Sequence, residues 1–227
     1  MKYHVFMLSL HTLLIKIPIL IVPISVFFEI WQESPEVINE FFAANKETIN
    51  MNIGIFCSAN HDIDRDFFTL THEFGEWAAK EGHTIVYGGC NMGLMECVAH
   101  AAFNAGGRTI GVVPRIVETH GKASDYSTVT IPCDNLSDRK DLLMLHSDVF
   151  VALPGGIGTL DEVFTVVASS TIGYHEKKVI LYNMKGFWNG LIACLDDLHE
   201  KGVTRKQWRS YIQVANSLEE LTALLKQ

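Results

Sequence analysis

From residue 51 onward, short apolar runs alternate with stretches of helical period. Ile53–Cys57, Thr84–Tyr87, Thr109–Val113, Asp148–Leu153, Lys178–Tyr182 and Ile212–Ala215 read as strands, with a further strand at Val129–Ile131. Between them, Asp66–Glu81 carries Phe67, Leu70, Phe74, Trp77 and Ala78 at the spacing of one helix face. Leu94–Ala105, Ser137–His146, Thr159–Ile172, Phe187–Lys201 and Ser217–Lys226 read as helices too, with Ser137 as an N-cap. Gly82, Gly106-Gly107 and Pro114 supply stops. Residues 115–136 are polar and irregular apart from the Val129 strand. The strands are continuously apolar rather than alternating, which implies burial on both faces. That pattern predicts a parallel sheet covered by helices, a single doubly wound domain.

The first fifty residues do not fit this pattern. Val5 to Phe28 is almost wholly apolar, broken by His11, Lys16, Pro18 and Pro23. It is long enough to span a bilayer, which takes about 20 apolar residues. Two interior prolines make it a poor helix, and the bulky Phe28-Glu29-Ile30-Trp31 does not suit a signal-peptide cleavage site. The alternating pattern is complete from Met51. The preferred reading is therefore an apolar extension, residues 1–50, that is dispensable or precedes the true start, ahead of a working domain at 51–227. A membrane anchor is the second reading, and a helix packed on the domain or a partner chain the third.

Composition narrows the classes. The 227 residues carry 18 Lys and Arg against 26 Asp and Glu, a formal charge of −8, which argues against a general basic surface for nucleic acid. At 48% apolar residues, wholesale disorder is excluded. Five cysteines, odd in number, widely spaced and without C-x-x-C, point away from a disulfide framework or zinc ribbon. A reducing, cytoplasmic setting follows as the expectation. No HExxH occurs and the ten histidines form no close cluster, so neither a metal nor a cofactor is expected.

Doubly wound sheets bind ligands beyond the carboxyl ends of their strands. Four segments follow strands: Ser58-Ala59, Gly88–Gly93, Pro114–Glu118 and Pro154–Thr159. In the first glycine loop, Gly88-Gly89-Cys90-Asn91-Met92-Gly93, Cys90 breaks the dinucleotide fingerprint and Leu94-Met95 breaks the P-loop pattern. Taken alone it is a tight turn. The second loop, Pro154-Gly155-Gly156-Ile157-Gly158-Thr159, has three glycines in four positions and opens a helix, whose free N–H groups suit a phosphate. Thr159 adds a hydroxyl. Glu162, expected in the first helical turn, closes a Thr-x-x-Glu capping box in the structural reading. In the functional reading it contacts a sugar hydroxyl or positions a water. Arg139-Lys140 is either a solvated face or a cation pair beside a phosphomonoester, the fork of Arg suiting the latter.

Together these residues resemble the LOG family, also catalogued as lysine decarboxylases. Its P-G-G-x-G-T-x-x-E hallmark is complete from Pro154 to Glu162. Its G-G-G-x-x-G-L-M-G loop is matched by Gly88 to Glu96, with Cys90 and Glu96 in place of two glycines. Its R-K is matched by Arg139-Lys140, and Phe56-Cys57-Ser58-Ala59 resembles its F-C-G-S-S. The resemblance covers residue 51 to the C-terminus and implies a Rossmann-like α/β fold, a doubly wound, mostly parallel sheet with helices on both faces. It implies a phosphoribohydrolase that splits a nucleoside 5′-monophosphate, such as a cytokinin riboside monophosphate or AMP, into free base and ribose 5-phosphate. Arg139 and Glu162 are then the catalytic pair. The implied substrate contacts are Ser58, Gly88, Gly89, Asn91, Met95, Glu118, Lys140, Gly155, Gly156, Ile157, Gly158, Thr159, Leu160 and Asp161. No lysine suits the Schiff base that a decarboxylase would need. Glu96 is expected to face solvent.

A homodimer is expected, because Thr159–Ile172 is apolar on several faces (Val163, Phe164, Val166, Val167, Ala168, Ile172). A thick core is the competing explanation. The rival function is a binder of the same fold that holds a nucleotide or phosphorylated ligand without turnover. A third class, a membrane-tethered structural partner, depends on Val5–Phe28 being a real anchor.

Overall fold

The computed structural model describes residues 50–204 and 206–226, so the readings of Val5–Phe28 lie outside the described residues. The described residues fall in one compact unit. In chain order its elements are β1 (Asn52–Phe56), α1 (Arg65–Lys80), β2 (Thr84–Tyr87), α2 (Gly93–Asn104), β3 (Arg108–Pro114), α3 (Arg115–Thr119), β4 (Val129–Cys133) and α4 (Leu136–His146). There follow β5 (Val149–Ala152), α5 (Ile157–Thr171), β6 (Val179–Tyr182), α6 (Asn189–Glu200), β7 (Ile212–Ala215) and α7 (Leu218–Leu225). All seven strands form one sheet in the order β4-β3-β2-β1-β5-β6-β7, every ladder parallel.

The continuous apolar runs are buried on both faces, as their pattern requires. In β1, Ile53 and Ile55, with Cys57 just after it, join the core beneath α1, α2 and α7, while Phe56 joins the core beneath α4, α5 and α6. Gly54 shares the second face, where a Cβ would lie 2.5 Å from the Phe150 ring. That space is filled by Phe150, which stacks on Phe56 with centroids 5.1 Å apart. β4 has only Cys133 buried, consistent with an edge strand that needs one ladder.

Two local details differ from the sequence reading. The N-cap of α4 is Asn135, not Ser137: the Asn135 side chain accepts from the N–H groups of Ser137 and Asp138. Asn can reach both donors, so the helix starts a residue earlier. The stretch after Pro114 is not wholly irregular, because Arg115–Thr119 forms a short helix. Among the described residues no helix is long and apolar enough to cross a membrane, and all five cysteines are free thiols.

The chain winds outward from β1 through β4, then returns to place β5 on the other side of β1. The order therefore reverses between β1 and β5, and a crevice opens beyond their carboxyl ends. The glycine loops end in that crevice.

Candidate active site

Three loops are tied together at the switch point. The Ser58 N–H donates to the Pro154 carbonyl at 3.0 Å, and the Ser58 carbonyl accepts from Leu94 N–H at 2.9 Å. Ser58 thus joins the end of β1 to both glycine loops. Gly93 allows this approach: its φ is +57°, and a Cβ there would lie 2.6 Å from the Ser58 oxygen.

Arg139, on the first half of α4, reaches across the end of the sheet. Its Nε donates to the Val112 carbonyl at 3.4 Å, Nη1 to Glu162 Oε1 at 3.4 Å, and Nη2 lies 3.9 Å from the Met95 sulfur. The guanidinium rests on Gly88, where a Cβ would fall on Nη2 and 2.6 Å from Cζ. The first glycine loop is therefore more than a turn: its Gly88 makes the seat for a cation carried by a distant helix.

The Arg139 and Glu162 side chains are only 14% and 12% exposed. Burial pushes the Glu162 carboxyl up to about 7; Asp161 adds to the rise, while Arg139 and Lys140 oppose it. Burial outweighs the cation because the pair is 3.4 Å apart, longer than a tight charge-assisted bond of about 2.8 Å. Glu162 is poised to change its charge near neutral pH. Beneath it, burial drives the Cys57 thiol well above its ordinary value, with Glu162 adding to the effect, so Cys57 stays protonated.

The capping-box reading fails on geometry. Helix α5 begins at Ile157 with Gly156 as its N-cap, and no side chain caps it. Glu162 is thus the sixth residue, in the second turn, too far along to reach back to the cap. Thr159 is buried at 3% exposure and packs under Gly155, where a Cβ would fall on its Oγ1. The N–H groups of Ile157, Gly158 and Thr159 have no acceptor four residues back within the helix. Gly156 and Gly158 are exposed, and a Cβ on either would meet nothing within 4 Å. An uncapped helix start in open space has room for an anion. Glu162 sits about 6 Å along the axis from Gly158, at 1.5 Å per residue.

The other expected site residues divide. Gly88, Met95, Arg139 and Glu162 converge, and Ser58 and Gly155 support them. Ile157 is 86% exposed beside the loop, whereas Leu160 packs partly into the core. Lys140 Nζ is held by Asp161, at 3.0 and 2.9 Å from its two oxygens. Glu118 is exposed on α3. Asn91 spends its side-chain amide on the Gly121 carbonyl at 3.3 Å.

That last contact belongs to a feature the sequence reading missed. Segment 121–124 straps the first glycine loop: Asn91 N–H donates to the Lys122 carbonyl, Ser124 N–H to the Gly89 carbonyl, and Cys90 bridges Ala123. No hydrophobic period marks the strap, so only its neighbourhood reveals it. Glu96 also departs from expectation. Its Oε2 is buried without a hydrogen-bond partner among the described residues, because α2 turns that oxygen toward the protein, where burial opposes the ionisation of Tyr87 and Cys90 and Glu96 adds a smaller opposing effect. Among the described residues, no group of three or more His, Cys, Asp or Glu is placed to hold a metal ion.

Comparison with known proteins agrees with this geometry. The family model "Possible lysine decarboxylase" matches residues 95–225. The cytokinin riboside 5′-monophosphate phosphoribohydrolase LOG1 of Arabidopsis thaliana is 32% identical over 77% of this chain and 82% of its own. The cytokinin riboside 5′-monophosphate phosphoribohydrolase of Mycobacterium tuberculosis is 33% identical over 68% of this chain and 82% of its own. Among solved structures, the molybdenum cofactor binding protein of Rippkaea orientalis superposes with a TM-score of 0.61 at 25% identity, covering 78% of this chain and 96% of that one. With the hallmark loop, the Arg139–Glu162 pair and these relatives in hand, the chain belongs to the LOG family.

Proposed function

We propose that the protein hydrolyses the N-glycosidic bond of a nucleoside 5′-monophosphate, AMP or an N6-substituted AMP, to free base and ribose 5-phosphate. The observation that carries this reading is the buried Arg139–Glu162 pair, about one turn of helix beyond an uncapped, glycine-rich helix start. The relatives named as cytokinin riboside 5′-monophosphate phosphoribohydrolases support it.

In this mechanism the N–H groups of Ile157, Gly158 and Thr159 hold the 5′-phosphate and so place the ribose over Glu162. As the C1′–N bond lengthens, positive charge develops on the ribosyl ring. The Glu162 carboxylate stabilises that charge. Water attacks C1′ and gives up a proton, and the departing base takes one up. Arg139 holds Glu162 in place and keeps part of its population ionised against the burial that favours the neutral acid.

The test is a panel of nucleoside monophosphates, nucleosides and free lysine, followed by chromatography for released base. Release of adenine or an N6-substituted adenine from monophosphates supports the reading. Saturable binding across the panel with no product would favour the binder without turnover, for which the phosphate loop alone suffices. Equal turnover of nucleosides would refute the role of the loop.

The reading includes a homodimer. Helix α5 turns Val163 and Val166 into the core yet leaves Phe164, Ala168 and Ile172 exposed at four-residue spacing, followed by Tyr174 at 80% exposure. The core accounts for one apolar face and a second copy accounts for the other. Light scattering that gives a monomer at working concentration would defeat it.

A further inference from the structure

We propose that Lys140 and Asp161 are positioning residues, an outer ion pair that sets the separation of α4 and α5 and thereby aligns the inner pair, Arg139 and Glu162. The proposal rests on the phosphoribohydrolase reading and departs from the resemblance, which makes Lys140 and Asp161 substrate contacts.

The two pairs share a register. Consecutive residues of α4, Arg139 and Lys140, meet consecutive residues of α5, Glu162 and Asp161, in reversed order. Neighbouring helical residues point about 100° apart, so the second pair lies beside the first, toward the surface. Exposure follows that order: 14% and 12% for the inner side chains, 23% and 58% for the outer ones.

Their distances differ. Lys140 Nζ lies 3.0 and 2.9 Å from the two Asp161 oxygens, while the inner pair stands at 3.4 Å. The tighter contact is the more exposed one. An outer bond made firmly on both oxygens holds the two helices at one spacing, and the inner pair keeps slack to reorient toward a bound ring. With Nζ engaged by both oxygens, Lys140 would have to abandon this contact to reach a phosphate, and the start of α5 already offers three N–H donors.

Electrostatics couples the pairs as well. The charged and titratable groups around Glu162 are Arg139 and Lys140 on α4, Asp161 on its own helix and Cys57 after β1. Asp161 disfavours the Glu162 carboxylate and Lys140 favours it. The two members of the outer pair act on Glu162 in opposite senses, Asp161 more than Lys140, so removing either one moves it in a predictable direction.

The experiment compares Lys140→Met, Asp161→Asn, the double variant and the reversed pair Lys140→Asp with Asp161→Lys. Steady-state hydrolysis of AMP separates kcat from KM. In parallel, carbon-13 NMR of protein labelled at the Glu carboxyl follows the titration of Glu162, its resonance assigned with Glu162→Gln. This second readout needs no turnover. The expected result is that kcat falls about tenfold or more in each single variant while KM changes by less than about threefold. The double variant should be no worse than the poorer single one, because both break one contact, and the reversed pair should recover part of the loss. The Glu162 midpoint should fall in Asp161→Asn and rise in Lys140→Met. A KM raised tenfold or more with kcat intact, in Lys140→Met alone, would make Lys140 a phosphate ligand and overturn the proposal. Unchanged kinetics with an unmoved Glu162 midpoint would overturn it too. Should the wild type release no base from any nucleotide, the parent reading fails, while the Glu162 titration still decides whether the outer pair acts on the inner one.

Discussion

Replacing Glu162 with Gln tests the proposed chemistry most directly. The change preserves the shape of the side chain and removes its charge. The introduced amide oxygen would still accept from Arg139, so packing around the 3.4 Å contact is retained. Two magnitudes follow. If the carboxylate stabilises an oxocarbenium-like transition state, turnover should fall by about 10² or more, about 2.7 kcal/mol of barrier. The second concerns stability. The rise of the Glu162 carboxyl from 4.5 to about 7 corresponds to about 3 kcal/mol. A carboxyl whose affinity for protons rises on folding binds more protons in the native state. Its contribution is fully present below pH 4.5 and is lost as pH rises to about 7. The Glu162→Gln protein lacks this slope, so its stability relative to the wild type should improve between pH 5 and pH 8. The catalytic profile runs the opposite way: wild-type kcat should climb through about pH 7 as the carboxylate forms, and the variant should lose that limb. The assays are chromatographic base release from pH 5 to 9 and urea unfolding at pH 5 and pH 8. Full activity in Glu162→Gln would refute the mechanism, and an identical pH slope of stability in both proteins would refute the burial argument.

Three further outcomes follow from the same geometry. Arg139→Lys keeps the charge but cannot serve Val112, Glu162 and Met95 from one planar fork, so kcat should drop at least tenfold in the base-release assay with the melting temperature nearly unchanged. In Gly88→Ala the new methyl occupies the seat of the Arg139 guanidinium; activity should fall about as far as in Arg139→Lys while circular dichroism stays native, and an active Gly88→Ala protein would show that the guanidinium does not need that seat. Phe150→Ala removes a fully buried ring stacked on Phe56 and should cost about 3–5 kcal/mol in denaturant unfolding, with the site affected only through lost stability.

The sheet and its helices were legible in the sequence because a buried strand and an amphipathic helix each write a local period. Ile53–Cys57, Thr84–Tyr87 and Lys178–Tyr182 are apolar on both faces for the same reason that β1, β2 and β6 lie between two helical layers. The loop from Pro154 to Glu162 was legible for a related reason. Three glycines followed by Thr and an acid make a rare local pattern that can be read within a few positions. Local features with two solutions were harder. Asn135 and Ser137 are both good caps, and the choice depended on which side chain reaches the free N–H groups.

What the tertiary structure alone decided is where distant groups meet. Nothing in the spacing of residues 88, 112, 139 and 162 announces that Gly88 seats the Arg139 guanidinium, or that Val112 holds it with a backbone oxygen. The sequence left Glu162 with both a structural and a chemical reading. Gly156 as the N-cap removes the capping reading, and burial that raises the carboxyl to about 7 supports the proposed chemical one. The strap at 121–124 and the buried face of Glu96 carry no period because their partners lie on other elements. Composition and periodicity report which residues leave water. Charge separation, burial of a carboxylate and the seat of a guanidinium depend on distances that only the folded chain sets.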